Sequence, residues 1–194
     1  MKSSYTDPVD TAFNVAEGYS ISPKIGLKGK ITIPAEYNHL PICQVAANAF
    51  LKNADITHIF FAKNNKVRVL DEYAFAECPA LKYFEFTDAL RIIDNHVFYK
   101  GAPLAPLDHC YNFGKNLYSL GTFAFNQSLY FTEPVTIILP HTLERLGSYA
   151  LSNFKQGSAA ITVNVIIGEA GKYSNLDVGA GMTDVGYWPC IRTP

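Results

Sequence analysis

A nine-residue pattern returns five times along this chain of 194 residues, and that repetition limits the fold more than any single motif does. The copies are Ile42, Val45, Ala46, Ala49, Phe50; Val67, Leu70, Asp71, Ala74, Phe75; Leu90, Ile93, Asp94, Val97, Phe98; Leu117, Leu120, Gly121, Ala124, Phe125; and Leu143, Leu146, Gly147, Ala150, Leu151. In each, two aliphatic residues three apart are followed by a small or acidic residue, two variable ones, Ala or Val, and then Phe, with Leu151 replacing Phe in the last. Successive copies start 25, 23, 27 and 26 residues apart. Every copy leads into an extended apolar segment: 56–61, 81–86, 110–113, 135–139 and 161–165, with a sixth, 31–34, ahead of the first copy. These segments are β-branched and aromatic with a two-residue alternation, as a strand buried on one face requires. A unit of this size cannot bury its apolar side alone, so stacked copies must share a core. The expected object is a curved solenoid: a parallel sheet of about six strands, short turns or helical segments opposite it, and irregular caps at both ends.

The residues Ile31, Ile33 and Pro34, then Leu146, Gly147 and Ala150, and the step Ala74, Phe75, Cys78, Leu81 resemble the BspA-type (Treponema-type) leucine-rich repeat. The resemblance spans about residues 19–167 and implies a leucine-rich-repeat solenoid. Members occur on bacterial surface proteins, in some protists and in phage-encoded proteins. The resemblance therefore implies protein binding or adhesion, and no enzymatic activity. Surface members usually carry a leader and further domains, and neither is expected from the polar start at Met1. Residues 1–18 read as a lead-in or N-terminal cap, and 168–194, with five Gly and two Pro, as a cap or a docking tail. An extracellular surface or a virion is the expected setting.

Position by position, Phe50, Phe75, Phe98 and Phe125 are expected to fill the layer opposite the sheet. Three residues later stand Asn53, Cys78, Gly101 and Ser128, where a small polar or thiol side chain would face buried backbone. Four extra residues separate Phe98 from Phe113, and Gly101, Pro103 and Pro106 mark them as an extruded loop, either a binding insertion or an inert bulge.

A ligand would meet the outward positions of the sheet. One expected column is Thr32, Phe60, Glu85, Asn112, Ile138 and Asn164; the other is His58, Tyr83, Cys110, Thr136 and Thr162. Phe60, Tyr83 and Ile138 should stand exposed, giving a mixed aromatic and small polar patch suited to protein contacts. With Trp188 of the tail, the candidate partner-binding residues are His58, Phe60, Tyr83, Glu85, Asn112, Thr136, Ile138, Thr162, Asn164 and Trp188. The inward pairs should be Ile31/Ile33, Ile59/Phe61, Phe84/Phe86, Tyr111/Phe113, Ile137/Leu139 and Val163/Val165.

Charge and chemistry narrow the function further. Sixteen Lys and Arg against seventeen Asp and Glu supply no concentrated basic surface for nucleic acid. No apolar run is long enough to insert in a membrane. Cys43, Cys78, Cys110 and Cys190 form no CxxC pair and are expected as free thiols. Gly168, Gly171, Lys172 and Ser174 miss the phosphate-loop spacing, and Gly179, Gly181 and Gly186 miss the dinucleotide one. Asp94 sits where other copies have Gly, so a turn role explains it, and His96 falls at a variable, solvated position. His109 beside Cys110 lacks a third orienting group, and Asn126 heads a chance glycosylation sequon. No metal or cofactor is expected. The reading is a non-enzymatic module recognising a protein or surface glycan through its sheet face; the alternative is a structural component of a virion or other assembly, with its ends and tail buried by neighbouring subunits.

Overall fold

The computed structural model describes residues 1–7, 10–23, 26–101, 104–105, 110–131, 135–151, 155–156 and 163–167. Thr162, Trp188, Cys190, Asp108, His109 and the Gly-rich tail lie outside the described residues, as do Pro103 and Pro106.

In chain order the N-terminal segment forms β1 (Lys2–Tyr5), a single 3-10 turn (Thr11–Phe13) and β2 (Val15–Ile21). The first repeat adds β3 (Gly29–Ile33), β4 (Glu36–Tyr37) and β5 (Leu40–Val45), and the second adds β6 (Ile56–Phe61) and β7 (Val69–Leu70). Next come β8 (Tyr83–Phe84), β9 (Ile92–Ile93), β10 (Cys110–Asn112), β11 (Ser119–Leu120) and β12 (Tyr130–Phe131). The last strands are β13 (Val135–Leu139), β14 (Arg145–Leu146), β15 (Lys155–Gln156) and β16 (Val163–Ile167).

The expected parallel solenoid is what the chain forms. Its face strands fall into two three-stranded parallel sheets, β3-β6-β8 and β10-β13-β16. Across the core from them, the repeat copies themselves pair as a second parallel ladder, β5-β7-β9-β11-β14, built mostly of two-residue strands. Turns rather than helices connect the ladder to the next face strand, because each turn carries residues in left-handed backbone: Asn48, Tyr73, His96, Phe123 and Tyr149 all have φ between 55° and 58°. The N-terminal segment, expected to be irregular, contributes regular strands. Strand β1 pairs antiparallel with β2, and β2 pairs with β5 at the open end of the ladder, which removes an edge that would otherwise expose its hydrogen-bonding groups.

Inside, Phe50, Phe75, Phe98 and Phe125 are buried and stacked in a column, with ring centroids 4.7, 5.6 and 4.8 Å apart and planes within 16° of parallel. Phe84 of the face meets Phe75 and Phe98 edge-on at 5.1 and 5.0 Å. Such offset and edge contacts add to the large apolar burial. Leu151 ends the column, buried. Three of the four residues three after each Phe bond backbone through their side chains, Gly101 being the exception. The Asn53 amide donates to the Leu27 carbonyl at 3.2 Å, the Cys78 thiol to Phe50 O at 3.0 Å and the Ser128 hydroxyl to Phe125 O at 2.9 Å. Burial pushes the Cys78 thiol up to about 12, so it is an inert structural group. Cys43, Cys78 and Cys110 are free thiols.

The small residue of the pattern has a steric cause at the C-terminal turns. A Cβ on Gly147 would stand 2.3 Å from Thr122 N, and one on Gly121 2.4 Å from the Asp94 carbonyl carbon. Asp71 and Asp94, one or two turns earlier, instead close their turns by accepting from the following backbone N–H at 2.8 and 2.7 Å. Asp94 therefore has the turn role expected of it.

Three details differ from the sequence reading. His96 is only partly solvated: it is half-buried in an outer stack between Tyr73 at 4.6 Å and Phe123 at 5.3 Å, and Phe123 stacks in turn on Tyr149 at 5.1 Å. Phe86, expected inside, is only partly buried and packs against the core edge-on to Phe113; Ile31 is likewise partly buried, being on the first face strand. Finally, β16 registers two residues later than expected. Val165 pairs with Ile137 and Ile167 with Leu139, the partners that the expected phase gave to Val163 and Val165.

Candidate functional site

The sheet face is divided between β8 and β10, where Leu104 and Ala105 pass beside it. Residue Ala105 donates its N–H to the Lys82 carbonyl at 2.7 Å, and Leu104 bridges to Leu129. The Tyr111 hydroxyl donates to Leu104 O and ties this segment to β10. Chain is thus laid beside the start of β8, and β10 does not pair with it. The result is a cleft of about 290 Å³ between the two face sheets, bounded by Tyr83, Glu85 and Asp88 on one side and Cys110, Asn112 and Gly114 on the other. Gly114 has φ +87° and approaches the Thr87 carbonyl so closely that a Cβ would lie 2.6 Å away, which keeps that wall tight.

On the N-terminal side of the cleft, register brings His58 beside Tyr83 and Thr32 beside Phe60. His58, Phe60 and Tyr83 then form a cluster with ring centroids 6.1, 5.3 and 6.1 Å apart. The rings are half-buried rather than exposed, as expected earlier, because each covers part of its neighbours. His58 Nδ1 lies 2.9 Å from the Thr57 hydroxyl, which fixes the imidazole over the sheet. Burial, and then the nearby Glu85 carboxylate, push the Tyr83 phenol above its ordinary range, so it is a neutral hydroxyl across the physiological range. Glu85 is partly spent on the scaffold: its Oε2 accepts from Phe61 N–H at 2.7 Å, in place of a strand carbonyl beyond the short β8.

Beyond the cleft the face changes character. Cys110 pairs with Thr136 and Asn112 with Ile138; Asn112 is exposed, and Thr136 and Ile138 are half-buried. Ile138, expected exposed, lies between Asn112 and Ile166 on the adjacent strands. Asn164 is beside Thr136 rather than in the Ile138 column, the consequence of the two-residue shift in β16. Of the ten candidates, the structure gathers His58, Phe60, Tyr83 and Glu85 on one sheet and Asn112, Thr136, Ile138 and Asn164 on the other. Thr162 and Trp188 lie outside the described residues.

Sequence reasoning missed Asp88, Gly114 and Ala105 as parts of the cleft, and the only signal for them was the extra length after Phe98. Asp88 is exposed and paired with Lys115 at 3.3 Å. Among the described residues no group of three or more His, Cys, Asp or Glu is placed to hold a metal ion. Asn126, the sequon asparagine, is buried beneath the turn, and no helix among the described residues is long and apolar enough to cross a membrane. What the face offers is mixed: aromatic rings, hydroxyls and amides, with the carboxylates of Glu85 and Asp88 at the cleft and Lys30 beside His58 by register.

A search of curated proteins finds no match. Among solved structures, the T. pallidum leucine rich repeat protein matches with a TM-score of 0.57 and 24% identity over 74% of this chain. That likeness speaks for the fold, and the match spans 61% of the length of the T. pallidum chain. The family model for the BspA type leucine rich repeat region matches six copies, over residues 30–105 and 109–176. Strand order, repeat spacing and this coverage agree, and the chain belongs to the BspA-type leucine-rich-repeat family, whose repeats are scaffolds for protein interaction.

Proposed function

We propose that the protein is a non-enzymatic interaction module that binds a protein partner across the sheet face, with the His58–Phe60–Tyr83 cluster as its anchor and the adjoining cleft as its specificity element. One observation carries the reading. The repeat makes the same inward positions apolar in every turn, yet among the described face strands the outward aromatics occur on two adjacent strands, beside the break between the two face sheets. The repeat pattern does not call for them, and half-exposed Tyr and Phe in a polar surround are what the centre of a protein interface is made of. The cleft, with Tyr83 and Asn112 on opposite walls, suits a side chain projecting from the partner. A surface glycan fits less well, because the ring faces are partly turned onto one another.

The test is site-specific photo-crosslinking in material from the source. A benzophenone side chain replacing His58 should give one dominant protein adduct, and that adduct should fall at least about tenfold when Tyr83→Ala is added. The same probe replacing Tyr149, on the outer stack, should not give it. Equal adducts from both positions, or none from His58, would refute the assignment. An adduct whose partner is a further copy of this chain would instead favour an assembly component.

A further inference from the structure

Among the described residues, a buried cation near the N-terminal segment, Arg68, makes no ion pair, although the Asp7 carboxylate acts on it from a distance. The residue after the first aliphatic of each repeat copy is Cys43, Arg68, Arg91, Tyr118 and Glu144 in turn, and the two arginines lie side by side beneath the N-terminal segment. The Phe13 ring covers both guanidinium groups, at 5.2 Å from Arg68 and 4.5 Å from Arg91. Arg91 is fully served. It clamps both carboxylate oxygens of buried Asp7 through Nε and Nη2 and donates Nη1 to Asn116 O at 2.6 Å. The Tyr5 hydroxyl also donates to Asp7, at 3.0 Å. That carboxylate is therefore consumed.

Arg68 is 6% exposed and holds only carbonyls: Nε donates to Phe13 O at 3.3 Å and Nη1 to Ala89 O at 3.0 Å. Among the described residues its Nη2 has no acceptor and no carboxylate lies within ion-pair distance. Burial lowers its pKa, yet a guanidinium keeps its proton, so a largely desolvated charge remains with Nη2 still open to the groove. A buried charge without a counter-ion is costly, and the cost is relieved by an anion that reaches it. Such a route exists. Arg68 lines an open groove of about 650 Å³ between the N-terminal segment and the loop after β6, and Lys63 and Lys66 stand on its rim. Both lysines are exposed and, among the described residues, outside any ion pair. Of the two carboxylates on the opposite wall, Glu17 is paired with Lys2, which leaves Glu36.

We infer that this groove is an anion site that takes a carboxylate of an acidic peptide segment, with Arg68 Nη2 as the central donor and Lys63 and Lys66 as the outer charges. Nη2 can donate to one oxygen of a singly charged carboxylate, and Glu36 on the facing wall disfavours a dianion such as phosphate. The site shares no residue with the aromatic cluster or the cleft, so it stands whether or not the sheet-face reading does.

The experiment is calorimetric titration of the full chain at low ionic strength with a capped tetraglutamate peptide, and separately with inorganic phosphate. The peptide should bind and phosphate should bind more weakly. Arg68→Gln should weaken the peptide at least about tenfold, the loss of a charge-assisted pair, and Lys63→Gln with Lys66→Gln by about two- to fivefold. Because Arg68→Gln can disturb the cap, the exposed lysine pair provides the independent check, together with a peptide-induced shift of the Arg68 Nε resonance. Phosphate binding as tightly as the peptide would overturn the carboxylate assignment. Absence of peptide binding, or binding indifferent to the lysine pair and without a shift at Arg68, would overturn the site.

Discussion

The phenylalanine column inside the solenoid and the His58–Phe60–Tyr83 cluster on its face are both aromatic and both positioned by the same repeat, but they obey different rules. The column runs through four successive copies and ends on Leu151, with near-parallel rings 4.7 to 5.6 Å apart and no meaningful exposure. The cluster covers two strands, its rings are spaced 5.3 to 6.1 Å apart, and it remains half-open to solvent. A repeat protein is stabilised by what each unit contributes and by the contact to its neighbour, so stabilising residues must recur. A feature that departs from the repeat is free of that requirement. The comparison separates positions that hold the fold from positions available for recognition.

The comparison can be broken most forcefully in the column. Phe75→Ala removes a fully buried ring stacked between Phe50 and Phe98, and should cost about 3–5 kcal/mol by denaturant unfolding; a melt matching the parent would mean the column does not hold the turns. Next in size is Gly147→Ala, whose Cβ would meet backbone of the preceding turn at 2.3 Å. It should cost about 1–3 kcal/mol, whereas a tolerated alanine would show that the C-terminal turns can separate.

Alkaline pH probes the same interior more gently. Cys78 is raised to about 12 from a reference of 9.0 by burial, so the fold favours the neutral thiol. Its contribution is complete below about pH 9 and is lost as pH rises from there toward 12. Cys78→Ala should therefore flatten the fall of stability over that window, and a variant with the parent's alkaline slope would contradict the burial. Smallest of all is the outer stack: Phe123→Ala should cost about 1 kcal/mol, since its neighbours His96 and Tyr149 are themselves partly solvated.

The same distinction explains what could be read from the sequence. Inward positions were legible because burial repeats their residue types, and the face strands because alternation reveals them. The outer stack was not, since its five positions hold Asn48, Tyr73, His96, Phe123 and Tyr149, which share only a left-handed backbone. The Asp7–Arg91 clamp joins residues 84 apart and occurs once, so no periodicity announces it. The phase of β16 was ambiguous for a geometric reason. Ile161, Val163, Val165 and Ile167 all have the same parity, and a slip of two residues leaves every side chain on its own face. Of the site, the aromatic cluster followed from strand parity, whereas the cleft depended on how the insertion is laid beside Lys82.

The central claim is that folding and recognition use separate aromatic groups. Its most direct test is the double variant Phe60→Ala/Tyr83→Ala, assayed for crosslinking from position 58 on protein whose unfolding free energy has been measured. The account predicts stability within about 1–2 kcal/mol of the parent, two half-exposed rings being lost, together with loss of the partner adduct. An adduct retained at the parent's level, or a variant that no longer folds, would contradict it.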